Sequence, residues 1–160
     1  MEHVLMVCLG NICRSPLAEG ILRKKFNTLG IKGEVDSAGT GAYHAGERPD
    51  VRSQEIANRH GIDISRQRAR KFIREDFDRF DAIYAMDRSN YSDIISLARN
   101  KQDMEKVHLI LNTVYPGENR QIPDPYYGGR DGFLNVYNML DAACDVIAND
   151  ILRRKSGSTS

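Results

Sequence analysis

No hydrophobic run in the 160-residue chain approaches the roughly 18 apolar residues needed to span a bilayer. The N-terminus lacks a basic stretch ahead of its short apolar run, and no small-residue cleavage site follows, so it does not read as a secretory signal. Cysteine is scarce and odd in number, three in all, which argues against a framework of disulfides and for reduced thiols in the cytoplasm. An excess of charge of one sign is missing too. Lys and Arg total 23 against 22 Asp and Glu, so no overall field draws the chain to nucleic acid or to an anionic membrane. Neither an internal repeat nor a linker long enough to divide the chain is visible. What remains is one globular domain over 1–154, long enough to bury a core. Behind it comes a small polar tail, "KSGSTS" (155–160), expected to be disordered.

Within that domain, strand-like and helix-like segments alternate. "HVLMVC" (3–8) is a short apolar run suited to a strand buried on both faces. Ser15 and Pro16 then mark a helix start, the hydroxyl at the N-cap and the proline in the first turn. Leu17, Gly20, Ile21, Leu22, Lys25 and Phe26 follow at helical spacing, and Gly30 closes the helix. "GEVDSAG" (33–39), 80–86 and 106–111 read as three further strands. Helices are expected over 50–60, ended by Gly61, and over 88–99. A long final helix over 131–154 carries Phe133, Val136, Leu140, Ala143, Cys144 and Ile147 on one face. Such alternation specifies an α/β fold with a parallel sheet and right-handed crossovers.

In an open sheet of this kind, ligands bind beyond the carboxyl ends of the strands. The loop "CLGNICR" (8–14) leaves the first strand there and enters the first helix. Consecutive loop amides can converge on an anion, and the helix N-terminus adds partial positive charge. Gly10 allows a tight backbone, and Asn11 tolerates a left-handed conformation. Arg14 can reach two oxygens of one phosphate group. Cys8, at the mouth of this nest, feels the same field, which favours its thiolate. The loop therefore suits a sulfur nucleophile aimed at a bound tetrahedral anion, although a cysteine ending an apolar strand also suits plain core packing.

Context carries the reading further. "VCLGNICRSPLAEG" resembles the active-site loop of the low-molecular-weight protein tyrosine phosphatases. The likeness continues in the same order through "DSAGT" (36–40), "RHGID" (59–63), "AMDRSN" (85–90) and "PDPYYGG" (123–129). It implies a three-layer α/β sandwich, with a four-stranded parallel sheet between helices and a phosphate-binding loop after the first strand, and neither metal nor cofactor. It implies hydrolysis of protein phosphotyrosine through a phosphocysteine on Cys8. Arg14 and the amides of Leu9, Gly10, Asn11, Ile12 and Cys13 would clamp the phosphoryl oxygens. Ser15 would donate to the thiolate, and Asp124 would act as acid and then as base. Asn11 and Ser37 would hold the loop's shape, and His60 would support it indirectly. Arg66 stands where the family often has a second histidine.

Other positions keep two readings. Asp87 suits a carboxylate at the rim of the site and a helix N-cap equally well. Tyr43, Tyr126 and Tyr127 are candidate walls for a flat phenol, or ordinary surface residues. Leu9 and Ile12 are the loop's apolar side chains. Ile12 favours phosphotyrosine, since a threonine there marks the family's phosphoarginine branch. Cys13 is either packing or a thiol that captures oxidised Cys8 as a disulfide. The implied partner is a phosphotyrosine-containing protein, with no role for nucleic acid or membrane. The rival functions are an arsenate reductase, short of one relay cysteine; a thiol redox sensor; and a phosphotyrosine-binding module. The basic run "RQRARK" (66–71) is answered at once by "REDFDRFD", so a solvated mixed surface is expected there.

Overall fold

The computed structural model describes residues 1–125 and 130–157. Four strands, β1 (Glu2–Cys8), β2 (Gly33–Gly39), β3 (Ala82–Ala85) and β4 (Val107–Leu109), pair in parallel in the order β2-β1-β3-β4. The helices are α1 (Arg14–Leu29), α2 (Val51–Arg59), α3 (Asp76–Arg79), α4 (Arg88–Ser96), α5 (Lys101–Glu105) and α6 (Arg130–Gly157). This is the α/β arrangement expected from the alternating pattern.

β1 lies inside the sheet, and residues Val4 to Cys8 are all buried. Its alternation divides the core in two. Val4, Met6 and Cys8 pack with Leu17, Leu22 and Phe26 of α1, Ile56 of α2, and Val136, Leu140 and Ile147 of α6. Leu5 and Val7 face the other way, onto Phe72, Phe77, Phe80 and Ile94. A strand covered on both sides has no polar face to show, which is why its sequence reads as an unbroken apolar run. The six final-helix residues singled out by periodicity are all buried.

Several boundaries depart from expectation. α1 begins at Arg14, with Cys13 in the cap position and no side-chain cap; the Ser15 hydroxyl is engaged elsewhere, as described below. Gly30 does close the helix, at φ 69°. The fourth strand stops at Leu109, and a 3₁₀ turn follows over Ile110–Thr113, because a short buried apolar run does not distinguish strand from turn. α3 and α5 have only 4 and 5 residues, too few to show a period. The last helix extends through Gly157, with Arg154 and Lys155 in its last turn, where cations oppose the helix dipole. The tail expected from residue 155 is therefore helical over its first three residues. Among the described residues, no helix is long and apolar enough to cross a membrane.

The ends of β1 and β2 are level, Cys8 standing opposite Gly39. From there the chain on either side is stitched together by Thr40 N to Cys8 O and Gly41 N to Leu9 O, both 2.9 Å. Gly39 is needed for this approach, because a Cβ there would lie 2.7 Å from the Leu9 carbonyl oxygen. Gly39→Ala should cost about 1–3 kcal/mol of stability by overpacking, measurable by urea denaturation. An unchanged midpoint would show that the loop can give way.

Candidate active site

The sheet order changes direction between β1 and β3, and the crevice beyond their carboxyl ends is where an open α/β fold binds ligands. A cleft of about 360 Å³ opens there, lined by Cys8, Leu9, Gly10, Ile12, Cys13, Arg14, Tyr43, His44 and Asp124. Eight of these were singled out from sequence as members of the loop, its aromatic wall or its acid. Gly10 was expected for its backbone, and His44 was not expected at all.

Cys8 closes β1 with its sulfur buried at the cleft floor. The backbone N–H of Asn11 reaches Sγ at 3.3 Å, and Ser15 Oγ stands 3.0 Å away. Asn11 takes the left-handed conformation expected of it, φ 57°. Its side chain is fully used. Nδ2 donates to Ser15 Oγ at 2.8 Å and to Ser37 Oγ at 2.9 Å, while Oδ1 accepts the Arg70 N–H at 3.0 Å. The loop's far end is held by Asp50 N to Ile12 O, 2.8 Å, and Ser53 Oγ to Cys13 O, 3.3 Å. Of the two roles expected of the Ser15 hydroxyl, it stands beside the Cys8 sulfur and does not cap α1. The first turn of α1 keeps its N–H groups without a side-chain cap, at the end where the cleft lies.

Arg14 is buried, with only 4% of its side chain exposed. Its Nη1 donates to Asp87 Oδ2 at 2.7 Å and to the Ile122 carbonyl at 2.9 Å. Ile122 is itself fixed by its N–H on Met86 O, 2.9 Å. Asp87 fulfils both readings given it. One oxygen caps α4 through Asn90 N at 2.8 Å, and the other orients Arg14. With Nη1 occupied, Nε and Nη2 form the remaining edge of the guanidinium. Asp124 lies on that side, its Oδ2 3.9 Å from Arg14 Nη2. It projects into the cleft from between Pro123 and Pro125, with 38% of its side chain exposed.

The remaining expectations fall less neatly. Tyr43 lines the cleft but is 78% exposed, so it forms a rim rather than a wall. His44 sits behind it, paired with Glu47 at 2.6 Å and packed close to Gly10; the adjacent "AYH" was its only sequence signal. Tyr126 and Tyr127 lie outside the described residues. His60 stacks on Tyr137 with ring centroids 3.9 Å apart and shares a hydrogen bond with the Ile56 carbonyl at 3.0 Å. Neither partner is a residue of the loop. Sequence reasoning also passed over Glu19, which accepts from Ser37 Oγ at 2.7 Å; Arg70, in the run 66–71 expected on a solvated mixed surface, is half-buried instead, its guanidinium holding Asp36 and the buried Asp76. Among the described residues, no group of three His, Cys, Asp or Glu converges as metal ligands would.

Two thiols are held protonated. Burial, then the nearby Asp50, Cys8 and Asp124, push Cys13 up to about 12 against the smaller effect of Arg52. Burial likewise pushes Cys144 upward, and its sulfur donates to the Ala18 carbonyl inside the core.

The chain matches the model of the family described as low molecular weight phosphotyrosine protein phosphatase, over residues 3–157. A Schizosaccharomyces pombe protein of that name is 44% identical over 141 residues, covering 86% of this chain and 89% of its own. The crystal structure of YfkJ from Bacillus subtilis superposes with a TM-score of 0.89 at 38% identity, over 97% of each chain. That of DARP, a Drosophila arginine phosphatase, gives a TM-score of 0.87 at 32% identity, covering 94% of this chain and 98% of its own. For the thiols, the raised positions of Cys13 and Cys144 predict that at neutral pH iodoacetamide adds at most one group per chain, on Cys8. Early labelling of Cys13, read by peptide mass spectrometry, would contradict its placement.

Proposed function

The chain belongs to the low molecular weight phosphotyrosine protein phosphatase family, and from that premise we propose that it hydrolyses protein phosphotyrosine through a phosphocysteine on Cys8. The observation that carries the mechanism is the convergence of Cys8, Arg14 and Asp124 on one cleft. The phosphoryl group enters with its oxygens toward the loop amides, the uncapped first turn of α1 and the Nε–Nη2 edge of Arg14. That edge is presented to the group because Asp87 and Ile122 restrain the other nitrogen. Cys8 sulfur attacks phosphorus as the bond to the phenolic oxygen breaks, and Asp124 gives its proton to that leaving oxygen. Asp124 then takes a proton from the water that attacks phosphocysteine. The sulfur departs as thiolate, with the Ser15 hydroxyl donating to it. A hydrogen bond to a charged group is worth about 1.5–3 kcal/mol, enough to matter to the second step.

The open cleft and its Tyr43 rim suit a phenyl phosphate carried on a protein, and Ile12 places an apolar side chain beside it. A second reading has support of its own: the arginine phosphatase from Drosophila shares the fold over most of both chains, so fold alone does not separate the two substrates. Phosphatase chemistry in the cytoplasm with reduced thiols fits the buried, unpaired state of Cys8, Cys13 and Cys144.

Phosphate release from phosphotyrosine, phosphoserine and phosphoarginine peptides, with EDTA present, tests the reading. Turnover should be confined to phosphotyrosine and abolished in Cys8→Ser. In Asp124→Ala, poor leaving groups should suffer by about 10²–10⁴-fold. Phosphoarginine turnover would reassign the pocket, and activity in Cys8→Ser would remove the nucleophile. Peroxide adds a second test. Oxidation of Cys8 to the sulfenic acid, followed by attack of Cys13 with loss of water, gives a reducible disulfide. That oxidation also removes the Cys8 charge, one of the influences that hold Cys13 protonated. Recovery by dithiothreitol should be complete in wild type and poor in Cys13→Ala; equal recovery in both would sink the disulfide.

A further inference from the structure

The basic run over 66–71 and the acidic run behind it are separated by the fold. Asp76 is buried and holds Arg70 at 3.0 Å. Asp78 turns away to Arg99 at 2.6 Å, and Asp81 accepts the His3 N–H at 2.8 Å. Arg66 shares its charge with Asp63. Arg68 is left to donate to the carbonyls of Ser65 and Gln67, at 3.0 and 2.8 Å, which orient its guanidinium without cancelling the charge. Among the described residues, neither Arg68 nor Lys71 forms an ion pair, and both are exposed.

Backbone bonds lay this segment beside the cleft. Gly46 N donates to Ala69 O at 2.8 Å and Ala69 N to Glu47 O at 2.9 Å, while Lys71 stands opposite Gly39 at the carboxyl end of β2. The strap 43–50, to which Ala69 pairs, gives Tyr43 and His44 to the cleft and is anchored where Asp50 N meets the Ile12 carbonyl. Arg48 lies on that strap, exposed and without an ion pair among the described residues. The strap's own carboxylates are already paired, Glu47 with His44 at 2.6 Å and Asp50 with Arg52 at 3.1 Å. This edge of the cleft therefore carries uncompensated positive charge, although the whole chain is nearly neutral.

We propose that Arg48, Arg68 and Lys71 form a docking surface for acidic residues that flank the phosphotyrosine of the protein substrate. The proposal rests on phosphotyrosine hydrolysis at Cys8 and adds the sequence context in which the phosphotyrosine is met. Only the phosphorylated side chain enters the cleft, so its neighbours in the substrate must lie over the rim, where these cations stand. One exposed ion pair contributes little by itself. Three like charges sharing one field do more, because they concentrate an acidic chain at the cleft mouth and hasten its encounter. The interaction is open to solvent, so salt must weaken it. Nucleic acid is a poorer occupant, since the run 66–71 holds no aromatic side chain on which a base could stack.

The test compares phosphotyrosine peptides of one length whose flanking residues are acidic, neutral or basic, with phenyl phosphate as the substrate that has no flanks. Wild type is set against the triple variant Arg48→Gln, Arg68→Gln, Lys71→Gln, at low and high salt, with melting curves to confirm folding. The double variant Arg48→Gln, Lys71→Gln leaves the Arg68 bonds in place. At low salt, wild type should favour the acidic peptide over the neutral one about tenfold in kcat/KM, through KM rather than kcat. High salt should shrink that preference. The triple variant should lose it and the double variant lose part of it, while both turn over phenyl phosphate as wild type does. An undiminished preference in the triple variant overturns the proposal, and so does a wild-type preference that high salt leaves intact. A folded variant slowed equally on every substrate, phenyl phosphate included, overturns it too. Stronger competition by an RNA oligonucleotide than by an acidic peptide of equal charge would give the surface to nucleic acid instead. Wild type that releases phosphate from neither phenyl phosphate nor any phosphotyrosine peptide is a separate outcome, and overturns the phosphatase reading and this proposal together.

Discussion

The side-chain amide of Asn11 is the constraint on which the site depends. It joins the loop to α1 through Ser15, to β2 through Ser37 and to the segment before α3 through the Arg70 N–H. Three pieces of chain distant in sequence are thus held by one residue, itself in a left-handed conformation that few residue types accept. The backbone N–H of the same residue points at Cys8 sulfur. The loop's carbonyls are held from outside as well, Leu9 O by Gly41 N, Ile12 O by Asp50 N and Cys13 O by Ser53 Oγ. Burial supplies the strength, because a satisfied polar network away from water is costly to open.

Arg14 raises the opposite problem, a buried cation. Water no longer solvates it, and its stability comes from the carboxylate of Asp87 and the Ile122 carbonyl. Both restrain one nitrogen, so the charge is kept in a single orientation while one edge stays available. Asp87 does this because it begins α4 immediately after β3, at the point where the sheet order reverses. The placement of the Arg14 guanidinium and the topological crevice are therefore one feature, fixed by where a strand ends.

How much of this was legible in the sequence depends on the range of the interaction. β1 announced itself because burial on both faces leaves no polar residue to interrupt the run. Cys8, Arg14 and Asn11 were singled out because a strand, a loop and a helix start fall within fifteen residues, and because the loop resembles a known family's. Ser15 was read as a cap from local rules and as a donor to the Cys8 sulfur through resemblance; its hydroxyl faces Cys8 and Asn11, and the cap is not made. Asp87 was given two competing readings when its two oxygens serve both. Glu19 looked like any acidic residue on a helix. Only the packing of β2 across α1 buries it and brings Ser37 to its carboxylate. His60 was given an indirect supporting role through resemblance, and its ring lies against Tyr137.

The order in which these partners leave the ribosome gives the loop a further property. Cys8 and Arg14 are synthesised ahead of the residues that hold them: Ser37 is 26 positions beyond Asn11, Arg70 is 59 beyond it, and the Ile122 carbonyl that holds Arg14 is 108 positions away. A nascent or truncated chain thus carries the sulfur and the guanidinium long before it carries what shapes them. Contacts of such long range are made late, after most of the chain has condensed around the sheet. The arrangement around Cys8 and Arg14 is therefore completed only once the chain has passed Ile122, and a shorter nascent chain carries both groups without the geometry that sets them.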